Sequence, residues 1–161
     1  MSSVWVVNAA PLIFLAKIGH LDLLERLAAR VIVPSGVAQE VRDGPPPDPA
    51  RQWVEGRGSR LIRKTRTVSP AIAAWDLGLG ESQVIHVALG QPGSEAILDD
   101  RAARECAAAL GVSFRGTISV LGMAKRRGLV PALRPLLDDL VAKGFHVARP
   151  ILDQALELAG E

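Results

Sequence analysis

Five oxygen-bearing side chains stand at positions where strand ends or apolar helix stripes would gather them: Asn8, Glu40, Glu81, Asp99 and Asp100. "VWVV" (4–7) is a β-branched run that ends on Asn8, and "EAILDD" (95–100) is a second run that ends on two aspartates. Glu40 follows Val37 by three residues and precedes Val41, while Glu81 continues the stripe of Val84, Ile85, Ala88 and Leu89. A carboxylate on an apolar face is costly unless a cation or a basic side chain pairs with it. Two such glutamates therefore suggest a shared partner. Donors that are all oxygen suit the hard ions Mg²⁺ and Mn²⁺, and such ions neutralise phosphate oxygens and activate water for phosphodiester hydrolysis.

Each position also has a plainer explanation. Glu81 opens a helix, where the dipole favours negative charge without any function. Glu40 comes near the end of one, where the dipole disfavours it. Adjacent strand residues point to opposite faces. One of Asp99 and Asp100 is thus expected in a cleft and the other as the cap of the following helix, and the sequence does not decide between them.

The elements that must position these groups alternate in type. Strands are expected at 4–7, 30–34, near 60–64, at 95–100 and at 112–114. Between and after them come helical periods at 11–18 and 21–29 (broken at Gly19), 35–42, 50–56, 81–89, 101–110, 117–127, 132–142 and 150–159. Pro34 suits a helix start, "DGPPPDP" (43–49) must be a loop, and Gly111 ends a helix. In 132–142, Leu133, Leu136, Leu137, Leu140 and Val141 form a stripe at helical spacing. Strand–helix alternation implies an α/β fold with a mainly parallel sheet covered on both faces. The carboxyl ends of such strands line one edge, where ligands bind. That edge would collect Asn8 and the aspartate pair, with Glu40 and Glu81 reaching in from flanking helices.

With 161 residues, 48% apolar and 22% charged, the chain fits one ordinary globular domain. The net charge of +2 does not by itself announce a nucleic-acid binder, but the basic groups are clustered. Arg57, Arg60, Arg63, Lys64 and Arg66 form one group; Lys125 and Arg126, followed by Arg127, form another. These are candidates for phosphate contacts, although a solvated surface has the same composition. Arg101 and Arg104 follow the aspartates closely enough to meet either phosphate or a cluster acid. Trp5, Trp53 and Trp75 are scattered and there is no tyrosine, so a base-stacking platform is not expected.

The single cysteine, Cys106, excludes an intrachain disulfide and fits a reducing cytoplasm. His20, His86 and His146 lack zinc-ligand spacing. The apolar run 4–16 is too short to span a membrane and has no basic leader, so neither a membrane segment nor a signal peptide is expected.

Taken in order, "VVNAAPLIFLAKIGHLDLL" (6–24), "VIVPSGVAQEV" (31–41), "LGLGESQVIHVAL" (77–89), "ILDDRAARECAAALGV" (97–112) and "GTISVLGMAKRRGLVP" (116–131) resemble the PIN domain of VapC-type toxins. More narrowly, they resemble a compact prokaryotic branch of that family of largely unassigned function. The resemblance implies a three-layer α/β/α fold. It also implies Mg²⁺- or Mn²⁺-dependent hydrolysis of RNA by a carboxylate cluster, a small antitoxin partner and a homodimer. By position it places the first family acid on Asn8, the second on Glu40, the third on Glu81 and the last on Asp99 or Asp100. The departure is Asn8, where the family pattern has aspartate. An amide oxygen still ligates a hard cation but carries no charge. The alternative expectation is therefore a PIN fold with weakened or lost catalysis that binds RNA or a partner.

Overall fold

The computed structural model describes residues 3–46 and 48–161. Five strands form one all-parallel sheet: β1 (Val4–Val7), β2 (Arg30–Pro34), β3 (Ile62–Arg63), β4 (Glu95–Ile97) and β5 (Ser113–Arg115), in the order β3-β2-β1-β4-β5. The helices are α1 (Ala9–Lys17), α2 (Asp22–Leu27), α3 (Ser35–Asp43), α4 (Pro49–Glu55), α5 (Pro70–Ala73), α6 (Leu79–Leu89), α7 (Arg101–Ala109), α8 (Thr117–Arg126), α9 (Arg134–Ala142) and α10 (Arg149–Leu158).

β1 is central because it can be. Trp5, Val6 and Val7 are fully buried, and β-branched and aromatic side chains fill both faces of a strand that neither edge exposes. Its register runs Trp5 to Val31 on one side and Trp5 to Glu95 on the other. The crossovers to β2 and β3 proceed to one side of β1, and those to β4 and β5 to the other. Right-handed connections then put α1 and α2 on one face and α6 and α7 on the opposite face. α6 packs across β1, β2 and β4, while α8 joins α1 and α2 on their face, completing three layers. Leu12, Leu15, Leu23, Leu24 and Leu27 fill the first interface and Ile85 the second, all at or near zero exposure. Each such side chain contributes about 2 kcal/mol by leaving water.

Most expected elements form, with three differences. β4 stops at Ile97, so Asp99 and Asp100 lie beyond the strand and are not governed by its alternation. α5 was not expected; with four residues, Pro70–Ala73, it is too short to show a period. In α9 the stripe is narrower than its spacing suggests: Leu133, Leu137 and Leu140 are buried, whereas Val141 is exposed. Among the described residues, no helix is long and apolar enough to cross a membrane.

The strand order reverses between β1 and β4. In an open parallel sheet the crevice outside the carboxyl ends at such a switch point is the natural ligand site. Asn8 follows β1 there, its backbone N–H donating to Ile97 O at 3.1 Å, and Asp99 follows β4.

Candidate active site

A cleft of about 1080 Å³ opens at this edge, and Asn8, Glu40, Glu81, Asp99 and Asp100 all line it. Residues spread over 92 positions of sequence thus meet where the topology predicts, but they differ in how they are held.

Asn8 occupies the N-cap position of α1, yet its side chain makes no capping bond. It is 2% exposed, and its Oδ1 has no hydrogen-bond partner among the described residues. A buried carbonyl oxygen without a partner costs about 1–3 kcal/mol. An asparagine at this position would ordinarily satisfy the first turn of its own helix; here the oxygen is presented to the cleft instead.

Glu40 corrects one expectation and resolves a difficulty. It is exposed to the cleft and does not lie on the buried face of α3, which consists of Gly36, Val37, Ala38 and Val41. Its carboxylate is also not governed by its own helix end. Oε1 accepts the backbone N–H of Gly80 at 2.9 Å, in the first turn of α6, where the dipole favours negative charge. Gly80 is what permits this approach. A Cβ there would collide with Glu40 Oε1 and stand 3.3 Å from Asn8 Oδ1, so the two oxygens border the same small space. Desolvation pushes the Glu40 carboxyl pKa up; the Gly80 N–H opposes the rise, and the negative charge of Glu81 adds to it.

Glu81 is half-buried, in the first turn of α6. Among the described residues it accepts no hydrogen bond and forms no ion pair, which leaves it the one cleft glutamate with both oxygens uncommitted.

Both aspartates line the cleft, and each accepts a hydrogen bond from the start of a helix. Asp100 is exposed and accepts Ala103 N–H at 2.9 Å as the N-cap of α7. Asp99 holds the start of α8, accepting Thr117 N–H at 2.9 Å and Thr117 Oγ1–H at 2.6 Å. Of the two, Asp99 lies deeper in the cleft. Arg104 approaches Asp99 Oδ1 at 3.7 Å and donates from Nε to Leu98 O at 2.8 Å, so the salt-bridging reading of Arg104 is the one observed. Arg101 instead pairs with Glu105 on the surface.

The basic groups are dispersed. Arg57 and Arg60 line a separate surface pocket with Trp53 and Glu25; Arg60 pairs with Glu25 at 2.6 Å. Arg63 donates to Gln91, and Lys64 and Arg66 follow β3 toward the carboxyl edge. None of these five lines the cleft. Lys125 is paired with Glu161 at 3.3 Å, whereas Arg126 lines the cleft together with Arg104 and Arg115. Arg115, which no sequence pattern singles out, donates to Glu95 at 3.1 Å and to Ser119 at 2.8 Å. Cys106 is buried in α7 as a packing residue.

A resident divalent ion fits the chemistry of these donors. The partnerless Asn8 oxygen and the crowded Glu40 and Glu81 carboxylates are hard, and the repulsion between the glutamates would be relieved by a cation. Among the described residues, no three His, Cys, Asp or Glu side chains stand close enough to hold an ion by themselves. The fit is therefore to an ion such as Mg²⁺, which is bound through one or two carboxylates and keeps several waters.

No curated protein and no solved structure matches the chain. A family model described as DUF3368, PIN domain, matches residues 4–161, and PIN domains are a nuclease-type fold that generally uses divalent metal ions. The match begins with β1 and takes in every strand of the sheet and every residue of the acidic cleft, so the chain belongs to the PIN-domain family.

Proposed function

We propose that this PIN domain is a Mg²⁺- or Mn²⁺-dependent endoribonuclease acting on single-stranded RNA, in the manner of a VapC-type toxin held in check by a small antitoxin. The observation that carries the reading is the buried, partnerless Oδ1 of Asn8 beside Glu40 and Gly80. Such an oxygen is retained at a cost, and a cation is the partner that its surroundings favour. The toxin role, the antitoxin and a homodimer rest on the family resemblance.

Asn8 and Glu40, with Glu81 beside them and waters completing the shell, would hold the ion, which when bound supplies charge neutralisation at the phosphoryl oxygens and acidifies water. The chain's own residues divide the remaining work. Glu40 spends Oε1 on Gly80, and Asp99 spends both oxygens on Thr117. Glu81 is free to take the proton of the attacking water as its oxygen adds to phosphorus. One P–O ester bond breaks, and the departing hydroxyl takes a proton from solvent. Arg104 and Arg126 place positive charge along the cleft for the phosphates on either side.

A second reading has its own support. Asn8 contributes no charge, and Asp99 is committed to α8 and approached by Arg104, so the site is less acidic than the family pattern. On this reading the protein binds RNA or a partner and cleaves weakly or not at all. Metal-dependent cleavage of single-stranded RNA by the purified protein separates the two. The nuclease reading expects cleavage that requires Mg²⁺ or Mn²⁺ and falls at least a hundredfold in Glu81→Gln. Equal cleavage by that variant would assign the activity to another site or a contaminant, and RNA binding without cleavage would favour the second reading.

A further inference from the structure

Every phenylalanine in the chain lines the acidic cleft: Phe14 from α1, Phe114 from β5 and Phe145 from the segment between α9 and α10. None of the three tryptophans does. Three rings brought from distant parts of the sequence to one cleft are a feature of the tertiary structure that the scatter of aromatics conceals.

The rings are not equivalent. Phe14 and Phe145 meet edge to face, with centroids 5.1 Å apart and planes at 88°. They form part of an apolar wall with Ile118 and Ile151. Phe114 is 38% exposed and has no aromatic neighbour among the described residues. It sits on β5, one of the two edge strands of the sheet. The guanidinium of Arg104 lies 5.6 Å from its ring centroid. That guanidinium is fixed by its bond to Leu98 O and stands 3.7 Å from Asp99 Oδ1. Gly116 leaves the room, since a Cβ there would collide with Arg104 and stand 3.0 Å from Asp99 Oδ1. An immobilised cation thus lies over one face of a partly exposed ring at the border of the carboxylates, which leaves the other face for a base.

Single-stranded RNA is recognised by just such pairs. A base offers a π face to an aromatic ring, and the adjoining phosphate offers charge to an arginine. We propose that Phe114 and Arg104 form a nucleotide subsite beside the acidic cluster, where one base of a single-stranded RNA stacks on Phe114 and a neighbouring phosphate pairs with Arg104. The inference rests on the proposed action on RNA and assigns the residues that fix the strand's position.

The test is binding of a short fluorescein-labelled single-stranded RNA to the full chain, with Ca²⁺ replacing Mg²⁺ so that cleavage does not intervene. Phe114→Leu keeps apolar bulk and removes the ring. It should weaken binding roughly 5- to 150-fold, the range for loss of one stacked base, while Phe114→Trp should retain wild-type affinity. An RNA made abasic at one position in turn should show, at a single position, the same loss with the wild-type protein and no further loss with Phe114→Leu. Unchanged affinity in Phe114→Leu, or an abasic penalty that the variant does not abolish, would overturn the subsite and leave the ring to a protein partner. Failure of the wild-type chain to bind any single-stranded RNA would overturn both the subsite and the action on RNA.

Discussion

Glu40 and Gln83 each cap the helix that carries the other. Glu40, in α3, accepts Gly80 N–H at the start of α6, and Gln83, in α6, accepts Gly36 N–H at the start of α3 at 2.6 Å. Gln83 is 3% exposed and also donates from Nε2 to Thr65 O at 3.2 Å, tying the segment after β3 into the same clasp. Orphan donors at two helix starts are thus satisfied reciprocally, and the same contacts set where Glu40 and Glu81 stand relative to each other.

Gln83→Leu should test the clasp. The apolar replacement leaves Gly36 N–H without its partner in a buried setting, at about 1–3 kcal/mol, while Thr65 O keeps the bond from Ser35 Oγ–H. Urea denaturation should show that loss of stability with an unchanged slope. A variant as stable as the wild type would mean that the clasp contributes nothing.

Asn8→Asp should act in opposite directions with and without metal. Without divalent ions, a buried charge at position 8 beside the Glu40 carboxylate lowers stability by roughly 1–3 kcal/mol. With Mn²⁺ the added charge raises affinity, so the rise in Tm on adding the ion should exceed that of the wild type. Calorimetric titration and thermal melts read both effects. Equal Mn²⁺ response in the two proteins would show that Asn8 does not face an ion site.

Glu40 makes stability depend on pH in an unusual sense. Desolvation, partly offset by the Gly80 N–H and reinforced by the charge of Glu81, raises its folded pKa. In the window from its unfolded pKa up to the raised value, the folded state binds more protons than the unfolded state. Its contribution therefore weakens stability as pH rises through that window. Glu40→Gln keeps an oxygen acceptor for Gly80 and removes the titration. Relative to the wild type, the variant should gain stability from acid toward neutral pH in metal-free buffer. Parallel stability curves for the two proteins would contradict the assignment.

Glu161 should show the opposite sign. Its side chain accepts Leu133 N–H at 2.6 Å and Arg134 N–H at 3.0 Å at the start of α9, and it pairs with Lys125. These bonds, that of Leu133 first, lower its pKa. Its contribution is present above the unfolded pKa and lost as pH falls through the lowered folded value. Glu161→Gln should flatten the acid limb of the stability curve, measured by denaturation at stepped pH. An acid limb identical to the wild type would remove Glu161 from the account.

The fold was largely legible because it is written in short-range periods. A β-branched run such as Val4–Val7 and a stripe such as Val84, Ile85 and Ala88 each report their burial within a few residues. Strand–helix alternation then leaves few alternatives to a parallel sheet. The site was legible as a set of residue types at strand ends and helix starts, and Asn8, Glu40, Glu81, Asp99 and Asp100 do share one cleft.

What each residue does there was not legible, because capping, pairing and cleft exposure depend on neighbours that no local pattern names. Glu40 looked misplaced near the end of α3 until the structure set it on a helix start 40 residues away. Asp99 and Asp100 are adjacent in sequence, yet one serves α8 and the other α7. The basic run 57–66 reads as one patch along the chain, but Arg57 and Arg60 line a separate pocket, Arg63 donates to Gln91, and none of the five residues lines the cleft. The sequence alone determined which side chains could do chemistry and the periodic elements that carry them. Only the tertiary structure decided which oxygens stay free, because a hydrogen bond is settled by ångström-scale proximity between segments whose spacing in sequence carries no such information.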